Sequence, residues 1–395
     1  MKSTLVFLAS LILLIAMFMI ALYVPNSLPV NSDFSAIYNT DLALVNRIPI
    51  YDLPNVEVLA QQHSGIPAQN FFLARFPYPP WYALSTFYLG LMPARAAATL
   101  WFELNLVMLF LSIWFLTDGW TGRLRLIAFP LGLFFLPVLG ALSVGQYDFP
   151  VLLGTSLLIY SLRKENVALA TIGTVLLTFK PHIGALVLLS MLGWLIGRWD
   201  SFGRRVTRPL ISAGVVLFAA SFLADPAWLS SYPKMLLNYQ SEGNVTACSE
   251  CASLPVWLSR WFFDGSLSTA IRIALVLLII LLILFYFVRS SLLSSEFLLT
   301  AALLTTLLVS PYLYNYDFLL LLVPFAVLAR SGNFLQIIIV LICYFIPSFA
   351  LLLLGRAGNI SLILVTFVLI ALLYVFMLRV LRRKNSVIDF TAHAA

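Results

Sequence analysis

Only 16 of 395 residues are acidic, yet Asp33, Asp41 and Asp52 all fall within "NSDFSAIYNTDLALVNRIPIYD", residues 31–52. A carboxylate at a membrane surface can take the proton from an attacking hydroxyl, which makes this stretch the first place to look for a base. At 100° per residue, a helix over 33–45 puts Phe34, Ile37, Tyr38, Leu44 and Val45 on one face. Ser32 then reads as its N-cap, and Asp33 lies in the first turn at the positive end of the helix dipole. The pattern predicts an amphipathic helix along the membrane surface, with Asp33 at the edge between lipid and water. Asp41 falls on the apolar face, where an unpaired carboxylate is costly and needs a partner or a polar cavity. The plainer readings are a helix cap for Asp33 and a loop carboxylate for Asp41; Asp52, in "IPIYDLP", reads as a turn residue.

Four later segments carry the remaining candidates. "LLTFKPHIGALV" joins Lys180 and His182 through Pro181; lysine is a point-charge phosphate ligand and histidine titrates near neutrality. "SVGQYDFP" brings Gln146 and Asp148, and "VSPYLYNYDFLL" brings Asn315 and Asp317 among three tyrosines that either stack on a sugar or line the interface. "RFPYPPWYALSTF" carries Arg75, a candidate for an anionic headgroup, before prolines that hold an extended approach to the next apolar run. With Tyr38 and Asp41 as further substrate contacts, this set suits transfer chemistry on a lipid-linked phosphate. A carboxylate deprotonates the acceptor hydroxyl and a cation steadies the departing phosphate.

The elements that must position these groups are set by composition. Hydrophobic residues make up 62% and charged residues 10%, against about 25% charged in soluble domains. Such a chain cannot cover itself with polar side chains, so its solvent is mostly lipid. The net charge of +7 does not mark a nucleic-acid binder, because the arginines and lysines sit at the ends of apolar runs, as the positive-inside pattern requires. Residues 1–24 form an apolar run longer than a signal-peptide core and without a small-x-small site, and so read as an uncleaved first span with a cytoplasmic N-terminus.

Twelve further apolar runs follow between 81 and 378. With the basic clusters inside, the 25–79 loop, "GQYD", "KPH", the 225–266 loop and "SPYLYNYD" all face outside. Thirteen full crossings would leave the basic C-terminal tail outside, so one run between 81 and 143 is expected to be re-entrant, or two runs to form one bent helix. The expected fold is an all-α, polytopic transmembrane helical bundle of 11–13 spans forming one domain over residues 1–395, with extracytoplasmic loops at 25–79 and 225–266. Cys248 and Cys251 in "CSEC" are a disulfide or two unpaired thiols, too few for a structural zinc, and Cys343 reads as packing. Asp33 and Asp41 could hold a divalent cation, but no ligand spacing requires one, and no other cofactor is implied.

The order of these elements resembles glycosyltransferase family 87, membrane enzymes of the GT-C type related to bacterial polyprenol-phosphate-mannose-dependent α-1,2-mannosyltransferases. The resemblance runs from residue 1 to about residue 330, through "DFSAIYNTDLALVNRIPIYD", "FPYPPWYAL", "GQYDF", "KPHIGALVLL" and "SPYLYNYD". It implies a transferase that moves a sugar, typically mannose, from a polyprenyl-phosphate carrier to a glycan or glycolipid on the outer side of the bacterial inner membrane. It further implies inversion at the anomeric carbon and no nucleotide-sugar site. The family's base is a first-loop aspartate, which falls on Asp33; its "GQ" and "KP" fall on Gly145-Gln146 and Lys180-Pro181. Some members carry histidine in the late "SP" segment, where this chain has Tyr316 and Asp317.

Two other classes fit less well. A flippase or transporter of lipid-linked sugars needs polar groups along a path open to both sides, whereas these collect on one. A polysaccharide polymerase or ligase usually carries a large basic late loop, whereas the largest loop here is the first.

Overall fold

The computed structural model describes residues 32–64, 71, 73–197, 201–242, 251–287, 294–331 and 333–393. The expected first span, 1–24, lies outside them. Among the described residues there is no strand, and seventeen α-helices follow in order. They are α1 (Asp33–Val45), α2 (Leu53–Ser64), α3 (Pro80–Thr86), α4 (Ala94–Leu116), α5 (Gly122–Leu133), α6 (Leu136–Val144), α7 (Asp148–Lys164), α8 (Val167–Leu177) and α9 (Pro181–Gly197). The second half holds α10 (Ser201–Ala224), α11 (Trp228–Glu242), α12 (Leu254–Phe262), α13 (Leu267–Phe287), α14 (Ser295–Val309), α15 (Leu322–Ser331), α16 (Phe334–Leu354) and α17 (Asn359–His393). Short 3₁₀ turns at Phe87–Leu91 and Asn315–Leu321 complete the parts near the site.

Helix α7 is the axis of the bundle. From Asp148 to Ile159 every residue is buried, against α4, α8, α9, α14 and the Asn315–Leu321 turn. Gly154 and Gly173 let α7 and α8 meet backbone to backbone: a Cβ on either would lie under 3 Å from the other's carbonyl oxygen. Small residues serve this purpose at helix contacts in lipid, where no hydrophobic effect draws helices together. Outer helices keep their apolar faces uncovered; Leu223 on α10 and Leu353 on α16 are 81% and 80% exposed. In water such faces would be untenable; in a bilayer they are the lipid contact.

Among the described residues, four helical stretches are long and apolar enough to cross a membrane: Ala94–Leu116, Phe202–Ala224, Leu267–Leu284 and Phe334–Arg379. The α5–α6 pair, bent by 54°, could supply a fifth. Among the described residues, fewer elements pass this length test than the 11–13 runs expected to cross over the whole chain. The run at 81–93 becomes the seven-residue α3 and a 3₁₀ turn, and the run at 316–329 becomes a 3₁₀ turn and the ten-residue α15. The first, at twelve helical residues, falls short of the ~20 a crossing needs, and the second, at seventeen in a row, lies at the lower edge of the range.

The bend between α5 and α6 falls inside the 81–143 region, where the charge pattern calls for a bent or re-entrant element. Its freed backbone groups find partners on α16: the Tyr344 hydroxyl donates to the Leu131 carbonyl, and the Leu136 N–H donates to Ser348 Oγ at 3.3 Å. Broken helices survive in lipid only with such replacements.

Polar groups gather at two ends. At one end Arg163 and Lys164 meet Asp118 at 2.7 and 3.4 Å, and Arg330 meets Glu296 at 2.6 Å. At the other stands Asp148, the first residue of the 17-residue α7, about 24 Å away at 1.5 Å per residue.

Candidate active site

The site is assembled from the bottom of the first loop. α1 begins at Asp33, as the periodicity predicts. Ser32 holds the N-cap position in extended backbone, but its side chain makes no cap bond; instead the Ser35 hydroxyl donates to the Ser32 carbonyl at 2.6 Å. α1 does not lie along a surface. Phe34, Ser35, Ala36, Ile37, Thr40, Asp41, Leu42 and Ala43 are all buried, so it is enclosed on most sides. Gly90 in the 3₁₀ turn permits this, because a Cβ there would lie 2.4 Å from the Asp41 carbonyl carbon. Asp52 precedes α2, accepting from the Asn55 side chain at 2.7 Å, the turn role its sequence suggests.

Asp33 is half-buried and firmly held. Gln146 Nε2 donates to its Oδ2 at 2.8 Å, the Tyr147 hydroxyl donates to its backbone carbonyl at 2.6 Å, and the Tyr316 hydroxyl neighbours its carboxylate closely enough to lower its proton affinity. Gln146 is itself oriented, since its Oε1 accepts from the Tyr147 N–H at 2.8 Å. The turn that aims it needs a left-handed residue after α6, and Gly145 supplies it at φ 68°. Trp101 Nε1 closes the turn by donating to the Gly145 carbonyl at 2.9 Å. Burial raises the proton affinity of Asp33, while the nearby Lys180 charge and the Tyr316 hydroxyl pull it back; the net shift is upward.

Beneath Asp33 lies a buried ion cluster. Lys180, 3% exposed, places Nζ 2.8 Å from Asp148 Oδ1 and 2.5 Å from Asp317 Oδ1. Asp317 also accepts the Tyr314 N–H at 2.6 Å through Oδ2. The Tyr316 ring neighbours both the cluster and Asp33, with Lys180 Nζ 5.9 Å from its centroid. Pro181 opens α9 immediately after Lys180, which fixes the lysine at the helix mouth.

The structure thus brings together Asp33, Gln146, Asp148, Lys180 and Asp317, drawn from four of the five expected polar segments. The charge of Lys180 is engaged internally rather than open to a phosphate. Arg75 lies half-buried in the segment before α3, beside Phe76 and Tyr78, whose rings sit 6.5 and 4.4 Å from that of Tyr147. His182 is exposed and meets the Tyr312 ring edge-on at 6.3 Å. Asn315 is half-buried at the start of its 3₁₀ turn.

Two candidates stand apart from the cluster. The Tyr38 hydroxyl donates to the Met92 carbonyl at 3.0 Å. Asp41 is fully buried behind α1, accepting from Thr86 Oγ1 at 3.1 Å, with its Oδ2 unpartnered among the described residues. Burial raises its proton affinity far above the carboxylate norm.

Among the described residues no group of three His, Cys, Asp or Glu could hold a metal ion. Cys251 is disulfide-bonded, Cys343 is a buried free thiol, and Cys248 lies outside the described residues. Tyr147 and Thr86 escape a reading of the sequence. Tyr147 is flagged only by standing next to Gln146, and nothing in the sequence joins Thr86 to a carboxylate 45 positions away.

Lipid-facing helices around a buried carboxylate–lysine cluster at one end define an integral membrane protein with a polar reaction site. The chain belongs to glycosyltransferase family 87, whose sequence model matches residues 76–311, and is a membrane glycosyltransferase. That span includes Gln146, Asp148, Lys180 and His182; Asp33, Arg75 and Asp317 lie beyond its ends. No curated protein and no solved structure matches the chain.

Proposed function

We propose that the protein transfers a hexose, mannose by family resemblance, from a polyprenyl-phosphate carrier to a glycan or glycolipid acceptor, on the extracytoplasmic face of a bacterial inner membrane. Asp33 is the base. The observation that carries this reading is the setting of its carboxylate: half-buried, fixed by Gln146, and more basic than an exposed aspartate. Burial strengthens its grip on a proton, and the nearby Lys180 charge offsets part of that rise.

In a single displacement Asp33 takes the acceptor hydroxyl's proton as the oxygen attacks the anomeric carbon. The carbon–oxygen bond to the carrier phosphate breaks, and the polyprenyl phosphate leaves with the electron pair. Inversion follows from attack opposite the leaving group. Arg75 is the cationic candidate for the departing phosphate, because it is not enclosed in the ion cluster, and His182 is a hydrogen-bond donor to it in its neutral form. Asn315 and the tyrosines of its turn suit the sugar hydroxyls.

The test is transfer from synthetic polyprenyl-phosphate mannose in proteoliposomes supplied with envelope glycolipid extract. Asp33→Ala and Asp33→Asn should reduce turnover by about 100-fold or more, the upper part of the range for general-base catalysis, while both proteins unfold at the wild-type temperature. Undiminished turnover in Asp33→Asn removes the base; carrier moved between leaflets without sugar transfer would favour a flippase.

A further inference from the structure

We propose that Lys180 is a positioning residue rather than a phosphate ligand, a clasp that holds together the two turns gripping the base. This inference rests on Asp33 being that base. One carboxylate on Lys180 Nζ is Asp148, two residues beyond Gln146 and one beyond Tyr147, the residues that bond Asp33. The other is Asp317, the residue after Tyr316, whose hydroxyl neighbours the Asp33 carboxylate and lowers its proton affinity. The 145–148 turn and the 314–317 turn come from segments about 170 positions apart in the chain, and each reaches Asp33 through a side chain of its own. Lys180 is the point where both are tied.

The geometry leaves the lysine little else to do. At 3% exposure, with two carboxylate oxygens within 3 Å and the Tyr316 ring 5.9 Å away, its ammonium is shielded from an incoming ligand. A phosphate would also meet the two carboxylates, which outnumber the one cation. Asp317 strengthens the tie by accepting the Tyr314 N–H through its second oxygen, so pulling on Asp317 moves the whole turn. Asp148 is the first residue of the buried axial helix, which gives the clasp a rigid anchor.

Two full-chain variants in proteoliposomes separate the roles. Lys180→Met removes the cation and keeps the length of the side chain. Asp317→Asn cuts one arm and leaves Lys180 matched to Asp148 alone, so it is expected to fold even where Lys180→Met does not. The readouts are kcat, KM for synthetic polyprenyl-phosphate mannose, binding of polyprenyl phosphate, and amide hydrogen exchange over 143–149 and 312–318.

The clasp requires kcat to fall about 100-fold, the cost of misplacing a catalytic group by about 1 Å. It requires donor KM and carrier binding within about threefold of wild type, since the phosphate contacts are elsewhere, and faster exchange in both turns. It is overturned if Lys180→Met loses carrier binding while exchange stays unchanged. It is equally overturned if Asp317→Asn, which leaves Lys180 tied to Asp148 alone, keeps full kcat and wild-type exchange. Full turnover in Asp33→Asn would defeat the base assignment, yet the exchange and binding results would still decide the clasp.

Discussion

Replacing Gln146 tests most directly how the protein holds its base. The Gln146 amide, 3% exposed, donates to Asp33 Oδ2 at 2.8 Å and accepts the Tyr147 N–H at 2.8 Å, so one side chain serves two neighbours. A hydrogen bond to a charged group is worth about 1.5–3 kcal/mol. If that whole amount holds Asp33 in its reactive pose, losing it lowers kcat by about 10- to 150-fold, at 1.36 kcal/mol per decade. Gln146→Leu also strands the Tyr147 N–H, at about 1–3 kcal/mol of stability. Gln146→Glu keeps that acceptor but sets a second carboxylate against Asp33. Like charges so close resist joint ionisation, so the Asp33 proton affinity, already raised, rises further.

A base works only when deprotonated, so the acidic limb of the pH–rate profile should lie above that of an exposed aspartate in the wild type. It should move to still higher pH in Gln146→Glu. The assay is transfer from polyprenyl-phosphate mannose across a pH series, with thermal unfolding followed in parallel. A Gln146→Glu protein with kcat within twofold of wild type and an unmoved limb would refute the reasoning.

Two more perturbations probe the support of α1. In Gly90→Ala the new Cβ meets backbone atoms of Asp41 at 2.4 Å, which no side-chain rotation relieves. Overpacking of this kind costs about 1–3 kcal/mol, and because α1 is displaced, the melting temperature and kcat should fall together. Asp41 is fully buried with its proton affinity strongly raised, so the folded state favours its neutral form. The stability this gives is present below the unfolded-state value of about 3.9 and is lost as pH rises through the higher folded value. Asp41→Asn, which stays neutral, should flatten that alkaline loss; a melting temperature that falls with pH as in the wild type would show that Asp41 is not the group responsible.

Much of this was legible in the sequence. An apolar content of 62% leaves no soluble alternative, and helices are the only open-ended elements that satisfy their own backbone in lipid. The start of α1 at Asp33 followed from period and polarity, and Gln146, Lys180 and Asp317 stood out as polar breaks in apolar runs. What lay beyond a linear reading was who pairs with whom. Lys180 looked like a cation offered to a phosphate, and packing turned it inward onto Asp148 and Asp317. α1 looked like a surface helix, and the close approach at Gly90 enclosed it, Asp41 included.

The physical reason is the range of the forces. Solvent preference and helical period act residue by residue along the chain, so they can be read from it. A buried ion pair exists only where two distant segments exclude water between them, and that exclusion belongs to the folded bundle.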